Sequence, residues 1–200
     1  MTAHHATLGR ALLIFGVLGP CAGGCLDHEL PPGDAADGGS SGGASTFIAQ
    51  QSDFADFEEW LPFETDVEGE HGGVVGTITE YLKSLPDAGS DSFPVGTMIV
   101  KTVEPKQGEA PAVHAMVKRG GAFNRSGALG WEYFELKVSS TGTPIIVWRG
   151  AQPPTGERYR SLLRQNDLDD SRMEVDCNDC HIGSENDAVL SDMLELTSLP

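Results

Sequence analysis

Cys177-Asn178-Asp179-Cys180-His181 is the stretch of this chain with the most definite chemistry. Two thiols separated by two residues, with an imidazole directly after the second, have the spacing of a c-type haem attachment site. The thiols would add to the two vinyl groups of a porphyrin, and His181 would supply an axial nitrogen to the iron. Three other uses of the same residues stand beside this one: a Cys177–Cys180 disulfide, a thioredoxin-like redox pair, or part of a zinc site. Zinc takes about four ligands, and no second cluster of cysteines and histidines accompanies this one. A redox pair is expected beside a βαβ pattern, which the sequence lacks. His71, His114, Met173 and Met193 are the candidates for a second axial ligand. His71 falls in a glycine-rich stretch, His114 in a strand, and Met173 only four residues before Cys177. None stands out as a partner, so the iron is expected to keep an open face, where small molecules bind.

The start of the chain bears on where such a site could be assembled. Arg10 precedes the apolar run from Ala11 to Leu18, and small residues with Cys21 and Cys25 follow. A basic start, a short apolar core and a small-residue exit form a secretory signal, expected over residues 1–24. The apolar run is too short to span a bilayer, which takes about 20 residues. Cys25 follows Ala22-Gly23-Gly24, which is similar to a bacterial lipoprotein box, although Leu three residues before the cysteine is missing. Cys25 is therefore the expected lipidation site, with ordinary cleavage or a disulfide as the alternatives. A lipid there would anchor the protein to a membrane without spanning it. Residues 25–45, with Pro31-Pro32-Gly33 and Gly38 to Gly43, have the Gly/Ser composition of a flexible tether. The folded domain is expected over 46–200, in the periplasm or cell envelope. Of the four cysteines, two fall to the export segment and two to the haem motif, so none is left for a structural disulfide.

The chain carries 30 acidic and 13 basic residues, a net charge of −17. Phosphate binding needs a basic surface, so nucleic acid is not an expected partner. An acidic surface keeps the domain soluble and would steer a basic partner.

The elements that must position the motif read as mostly β. Asp53 is placed to cap a short helix with Phe54, Phe57 and Leu61 on one face, Trp60 beside it and Pro62 ending it. Glu68 to Gly73 reads as a loop. Val74–Leu82, Phe93–Val103, Val113–Lys118, Trp131–Val138 and Pro144–Arg149 are rich in β-branched and aromatic residues and predict strands, with a helical turn as the alternative for the end of the first. Short turns between them predict an antiparallel sheet. Period two puts Val95, Thr97, Ile99, Lys101 and Val103 on one face, so Lys101 must either sit at a rim or face a pocket. His114, Met116 and Lys118 likewise share a side. Arg158–Arg164 and Asp187–Leu196 read as short helices. The predicted class is α+β, mainly antiparallel sheet with a few short helices, with the haem bound near the C-terminus. An all-helical c-type cytochrome carries its motif early, whereas about 130 largely β-rich residues precede Cys177 here.

Several blocks resemble the cytochrome P-460 family of mono-haem c proteins and the related cytochromes c′-beta. They are Phe93-Pro94-Val95-Gly96-Thr97 through Val100-Lys101, then Met116-Val117-Lys118-Arg119-Gly120-Gly121 with Gly130-Trp131-Glu132-Tyr133-Phe134. The last is Cys177 to His181 with Asn186-Asp187-Ala188-Val189-Leu190. The likeness covers roughly residues 50–195, and the stretch Glu64–Tyr81 departs from it. The resemblance implies a β-rich fold holding the haem against one sheet face, His181 as proximal ligand, an open distal position and a dimer. It implies that the protein oxidises hydroxylamine or binds and transforms nitric oxide, or, as in c′-beta relatives, binds gas without turnover. It also implies, for the oxidising members, a lysine-to-porphyrin cross-link, for which Lys101 is the first candidate and Lys118 the second. Glu132, Glu135 and Arg149 are strand candidates for moving protons near the open face. A membrane-anchored electron carrier, serving a redox partner protein, is the third functional class.

Overall fold

The computed structural model describes residues 45–106, 108, 110–156, 159–165 and 172–200, leaving aside the side chains of 66, 67, 160–165, 172 and 173. Its main element is a six-stranded antiparallel sheet in which each strand pairs with the next in sequence. The strands are β1 (Leu61–His71), β2 (Val74–Leu82), β3 (Met98–Pro105), β4 (Ala112–Lys118), β5 (Trp131–Val138) and β6 (Pro144–Gly150). A second, two-stranded sheet pairs β7 (Tyr159–Gln165) with β8 (Arg172–Val175). The one α-helix among the described residues, α1, is Cys177–His181. The expected class, mainly antiparallel sheet with few short helices, is the one observed.

The pleat sends alternate residues to opposite faces, and both faces of this sheet are covered. Met98, Val100, Val113, Ala115, Val117, Phe134 and Leu136 point to the back. There Ala49, Phe54 and Phe57 from the N-terminal segment close over them, with Phe54 edge-on to Phe134 at 5.1 Å between ring centroids. Leu82, Ile99, Met116, Trp131, Tyr133 and Trp148 point to the front. Residues after α1, among them Ala188, Val189, Leu194 and Leu196, cover that side. A bulge keeps the alternation useful at the β5–β6 pair: Glu135 pairs with Trp148 but Leu136 pairs with Ile146. The extra residue, Val147, is 54% exposed, and it lets Trp148 face the front while Ile146 packs on the back.

Five expected elements differ. The strand expected from Phe93 begins only at Met98, because residues 93–97 are coil and a turn in which Gly96 takes a positive φ of 96°. Residues around Phe54 and Phe57 form two 3-10 turns, Gln51–Phe54 and Phe57–Glu59, and Leu61 and Pro62 already belong to β1. Asp53 accepts from the backbone N–H of Gln50 at 2.7 Å, one turn inside the position expected of a cap. The supposed loop Glu68–Gly73 is the end of β1 and a tight turn at Gly72-Gly73, both in the left-handed region. Tyr159–Gln165 is a strand, not a helix. Asp187–Leu196 is a series of turns, because polar side chains capture its backbone. Asn186 donates to the Leu194 carbonyl and accepts from Leu196 N–H, and the Ser191 hydroxyl accepts from Met193 and Leu194. The expected leader over 1–24 and the tether, except for residue 45, lie outside the described residues.

Candidate functional site

Three cross-strand rows on the front of the sheet decide what the site contains. The first runs Glu80–Lys101–His114–Glu135–Trp148, each residue paired with the next across β2 to β6. The second, two residues along, is Leu82–Ile99–Met116–Tyr133. The third pairs Lys118 with Trp131. The first row is polar, the second largely apolar, and the third lies beneath the loop that follows α1.

A cavity of about 280 Å³ opens over the first two rows. Its walls include Lys101, His114, Met116 and Tyr133 from the sheet, His71 from the end of β1, and Tyr159 and Val175 from the small sheet. Cys177, Cys180 and His181 form another wall, with Val189 and Leu190 beside them. Among the described residues no three His, Cys, Asp or Glu side chains are arranged to hold a bare metal ion.

Local hydrogen bonding explains how the motif is presented. Asp176 caps α1: its carboxylate accepts from Asp179 N–H at 3.1 Å, and the Asp179 carboxylate accepts from Asp176 N–H at 2.8 Å. Asn178, between the cysteines, docks the turn onto the neighbouring loops. Its carbonyl accepts from Asn124 at 2.9 Å and from Ala128 N–H at 3.1 Å, and its amide donates to the Ala151 carbonyl at 3.0 Å. Gly127 lacks a Cβ where one would run into the Asn178 amide.

His181 is buried, and its Nδ1 donates to the Ala188 carbonyl at 2.7 Å. That bond fixes the proton on Nδ1 and leaves the lone pair on Nε2, the tautomer a metal-ligating histidine needs. Burial holds its imidazole neutral, with a pKa lowered to about 4. The carbonyl is itself anchored. Asp187 and Ala188 both take positive φ, 48° and 66°, a conformation that costs a non-glycine residue roughly 1–2 kcal/mol. The strained pair is clamped by three bonds: Lys118 Nζ to Asp187 Oδ1 at 2.6 Å, Phe93 N–H to Oδ2 at 2.9 Å, and Trp131 Nε1 to the Asp187 carbonyl at 2.6 Å.

The two cysteines are half-buried free thiols, not a disulfide. Burial, then the Asp176 carboxylate, pushes the Cys177 thiol up to about 12. Redox-active thiols of this spacing work with a lowered pKa, so the electrostatics here run against a thioredoxin-like role.

Lys101 faces the cavity, as period two required of one alternative. Its ammonium bonds Glu80 at 2.7 Å, and the buried Glu80 carboxylate also accepts from the Ser191 hydroxyl. Lys118 is occupied by Asp187 on the third row and is not part of the cavity wall. His71 and His114 meet, Nδ1 to Nδ1, at 3.2 Å. His71 is thus a half-buried wall residue rather than an exposed loop side chain. Glu135 lies beside His114 in its row and accepts from Trp148 Nε1 at 2.8 Å and Tyr159 hydroxyl at 3.1 Å. Glu132 and Arg149 point the other way. They pair with each other at 2.7 Å, and Arg149 also donates to the Ala49 carbonyl, so they tie the N-terminal segment to the back of the sheet. Met193 is not a wall residue, the side chain of Met173 is not described, and Cys25 lies outside the described residues.

The buried Tyr133 hydroxyl has no hydrogen-bond partner among the described residues. Its ring lies 5.2 Å from that of His181, and burial, with the nearby Cys177 thiol next, pushes its pKa up. A buried polar group without a partner costs on the order of 1–3 kcal/mol. A bound group with an acceptor near His181 would remove that cost. Glu80, Tyr133, Tyr159, Asn178 and Asp187 were not singled out for these roles from sequence. Only Glu80 left a signal there, as a lone acid alternating with Ile78 and Leu82. Comparison with protein families, curated proteins and solved structures found no match to this chain.

Proposed function

We propose that this chain is an exported mono-haem c protein of the cytochrome P-460 kind, whose cavity admits small nitrogen species such as hydroxylamine and nitric oxide. The observation that carries this is His181. The Cys-x-x-Cys-His turn brings it to a cavity with Nδ1 already bonded, leaving Nε2 as the free ligating nitrogen. The residues present fit a porphyrin: two free thiols on one helical turn, an oriented imidazole, walls of Ile99, Met116, Val175 and Val189, and the unpaired Tyr133 hydroxyl. Cys177 and Cys180 would form the thioethers, and His181 the axial bond. Haem iron with one protein ligand supplies a site for binding and oxidising small molecules.

The chain's own contribution is orientation and electrostatics. Ala188 and its clamp hold the His181 ring. Lys101 puts a positive charge at the wall, balanced by Glu80, and is our candidate for a porphyrin cross-link; Lys118 holds the loop after α1 instead. Oxidation would pass electrons to a redox partner protein, and lipidation at Cys25 would keep the domain at the cell envelope. A second version, an electron carrier with His71 or His114 as sixth ligand, draws support from both histidines lining the same cavity.

The visible spectrum of the ferrous protein separates these versions. A high-spin spectrum is expected, with a red-shifted Soret band where the Lys101 cross-link has formed and an ordinary Soret band in a gas binder. A low-spin spectrum with sharp α and β peaks would select the carrier.

A further inference from the structure

His71 and His114 lie 43 residues apart in sequence, yet their rings meet with centroids 4.8 Å apart at 67°. The fold goes to some length to make this contact. His71 ends β1, and the turn that follows places Gly72 so close to the His114 ring that any Cβ there would overlap it. On its other side the His114 ring meets the edge of Tyr159 at 5.1 Å, and the Tyr159 hydroxyl is fixed on Glu135.

The geometry of the bond dictates the chemistry of what remains. In a hydrogen bond between two neutral imidazoles through Nδ1, one ring donates and the other accepts. The donor ring carries its proton on Nδ1, so its Nε2 has a lone pair. The acceptor ring has its lone pair on Nδ1, so its Nε2 carries the proton. Among the described residues neither Nε2 has a hydrogen-bond partner. The pair therefore presents one acceptor and one donor. The Lys101 ammonium on the same wall disfavours a cationic guest.

We infer that His71 and His114 form a two-point recognition site for a small uncharged molecule that carries both a hydrogen-bond donor and an acceptor, holding it in the cavity His181 faces. This rests on the haem assignment above and adds to it which molecules the open face selects. Hydroxylamine has both functions. Carbon monoxide has no donor and can use only half of the site.

The test uses full-length protein matured with haem, and begins with haem staining after denaturation. Loss of the stain would sink the haem assignment itself. With haem retained, hydroxylamine and carbon monoxide are titrated optically into wild type, His71→Ala and His114→Ala. We expect hydroxylamine affinity to fall about tenfold or more in each variant, the worth of a hydrogen bond to a buried group, while carbon monoxide affinity changes by less than about threefold. Equal losses for both ligands, no loss of hydroxylamine affinity, or a change of spin state marking one histidine as an iron ligand would overturn the inference. Should a variant not fold, histidine ¹⁵N spectra of the wild-type ferrous carbon monoxide form decide. One ring of the pair is expected protonated at Nδ1 and the other at Nε2; the same tautomer on both would overturn the proposal.

Discussion

Each titratable residue on the front of the sheet has a measurable consequence. His114 is neutral in the fold because burial lowers its pKa to about 4, with Lys101 adding to that and Glu135 opposing it. Unfolding returns it to the ordinary value near 6.5. Below that pH the unfolded chain binds a proton that the folded one refuses, so stability falls as pH drops from about 6.5 towards 4. The loss attributable to this one group reaches about 3 kcal/mol. His71 shifts in the same direction, through burial first and the His114 neighbour second. Denaturant melts of wild type and His114→Leu between pH 7 and 4 should show the variant with the flatter dependence; parallel curves would contradict the assignment. The two lysines separate in the same way. Lys101→Ala should abolish a red-shifted Soret band, whereas Lys118→Ala should keep it but lower stability by about 2–4 kcal/mol, because Asp187 is left without its cation. Sequence alternation placed Lys101 and His114 with their neighbours on a face but carried no information on which face would be the open one. Glu132 and Arg149 for that reason looked as suitable as Glu135, and only the packing of Phe54 and Ala49 on the back distinguishes them.

At the scale of elements, five strands were legible because their β-branched and aromatic residues leave little alternative. β1 was not. Glu64, Glu68, Glu70 and His71 make it a polar edge strand, and such charge is how sheets protect an unpaired edge, so its composition resembles a loop. Register was also hidden: fifteen residues separate Leu82 from Met98, and no tight turn there dictates that Lys101 should meet Glu80. The segment after α1 misled for a different reason. Its apolar spacing suits a helix, but Asn186 and Ser191 bond the backbone that a helix would use. Two substitutions probe the elements that carry the site. Gly72→Ala puts a side chain at φ 61° and into the His114 ring. It should cost about 1–3 kcal/mol and, in ¹⁵N spectra, break the paired tautomers of His71 and His114. Asn178→Ala removes the bonds to Asn124, Ala128 and Ala151; a fall in stability of about 2–3 kcal/mol is expected in denaturant melts, with the cysteines and His181 still present to hold haem.

Over the whole molecule, the sheet works as a partition. One face is closed by the N-terminal segment; the other carries the rows Glu80 to Trp148 and Leu82 to Tyr133, and the C-terminal segment brings the thiols and His181 to them. This arrangement accounts for the late position of the motif: the surface it faces is formed by strands that all precede it in the sequence. It also makes the central claim, covalent haem at this site, open to a direct check. The full chain, produced in a bacterium able to attach c-type haem, is purified and its intact mass measured after denaturation. We predict a mass greater than that of the processed polypeptide by one haem, lost in a Cys177→Ala, Cys180→Ala double variant. A wild-type protein whose mass is that of the polypeptide alone, with two free thiols at Cys177 and Cys180, would contradict the account.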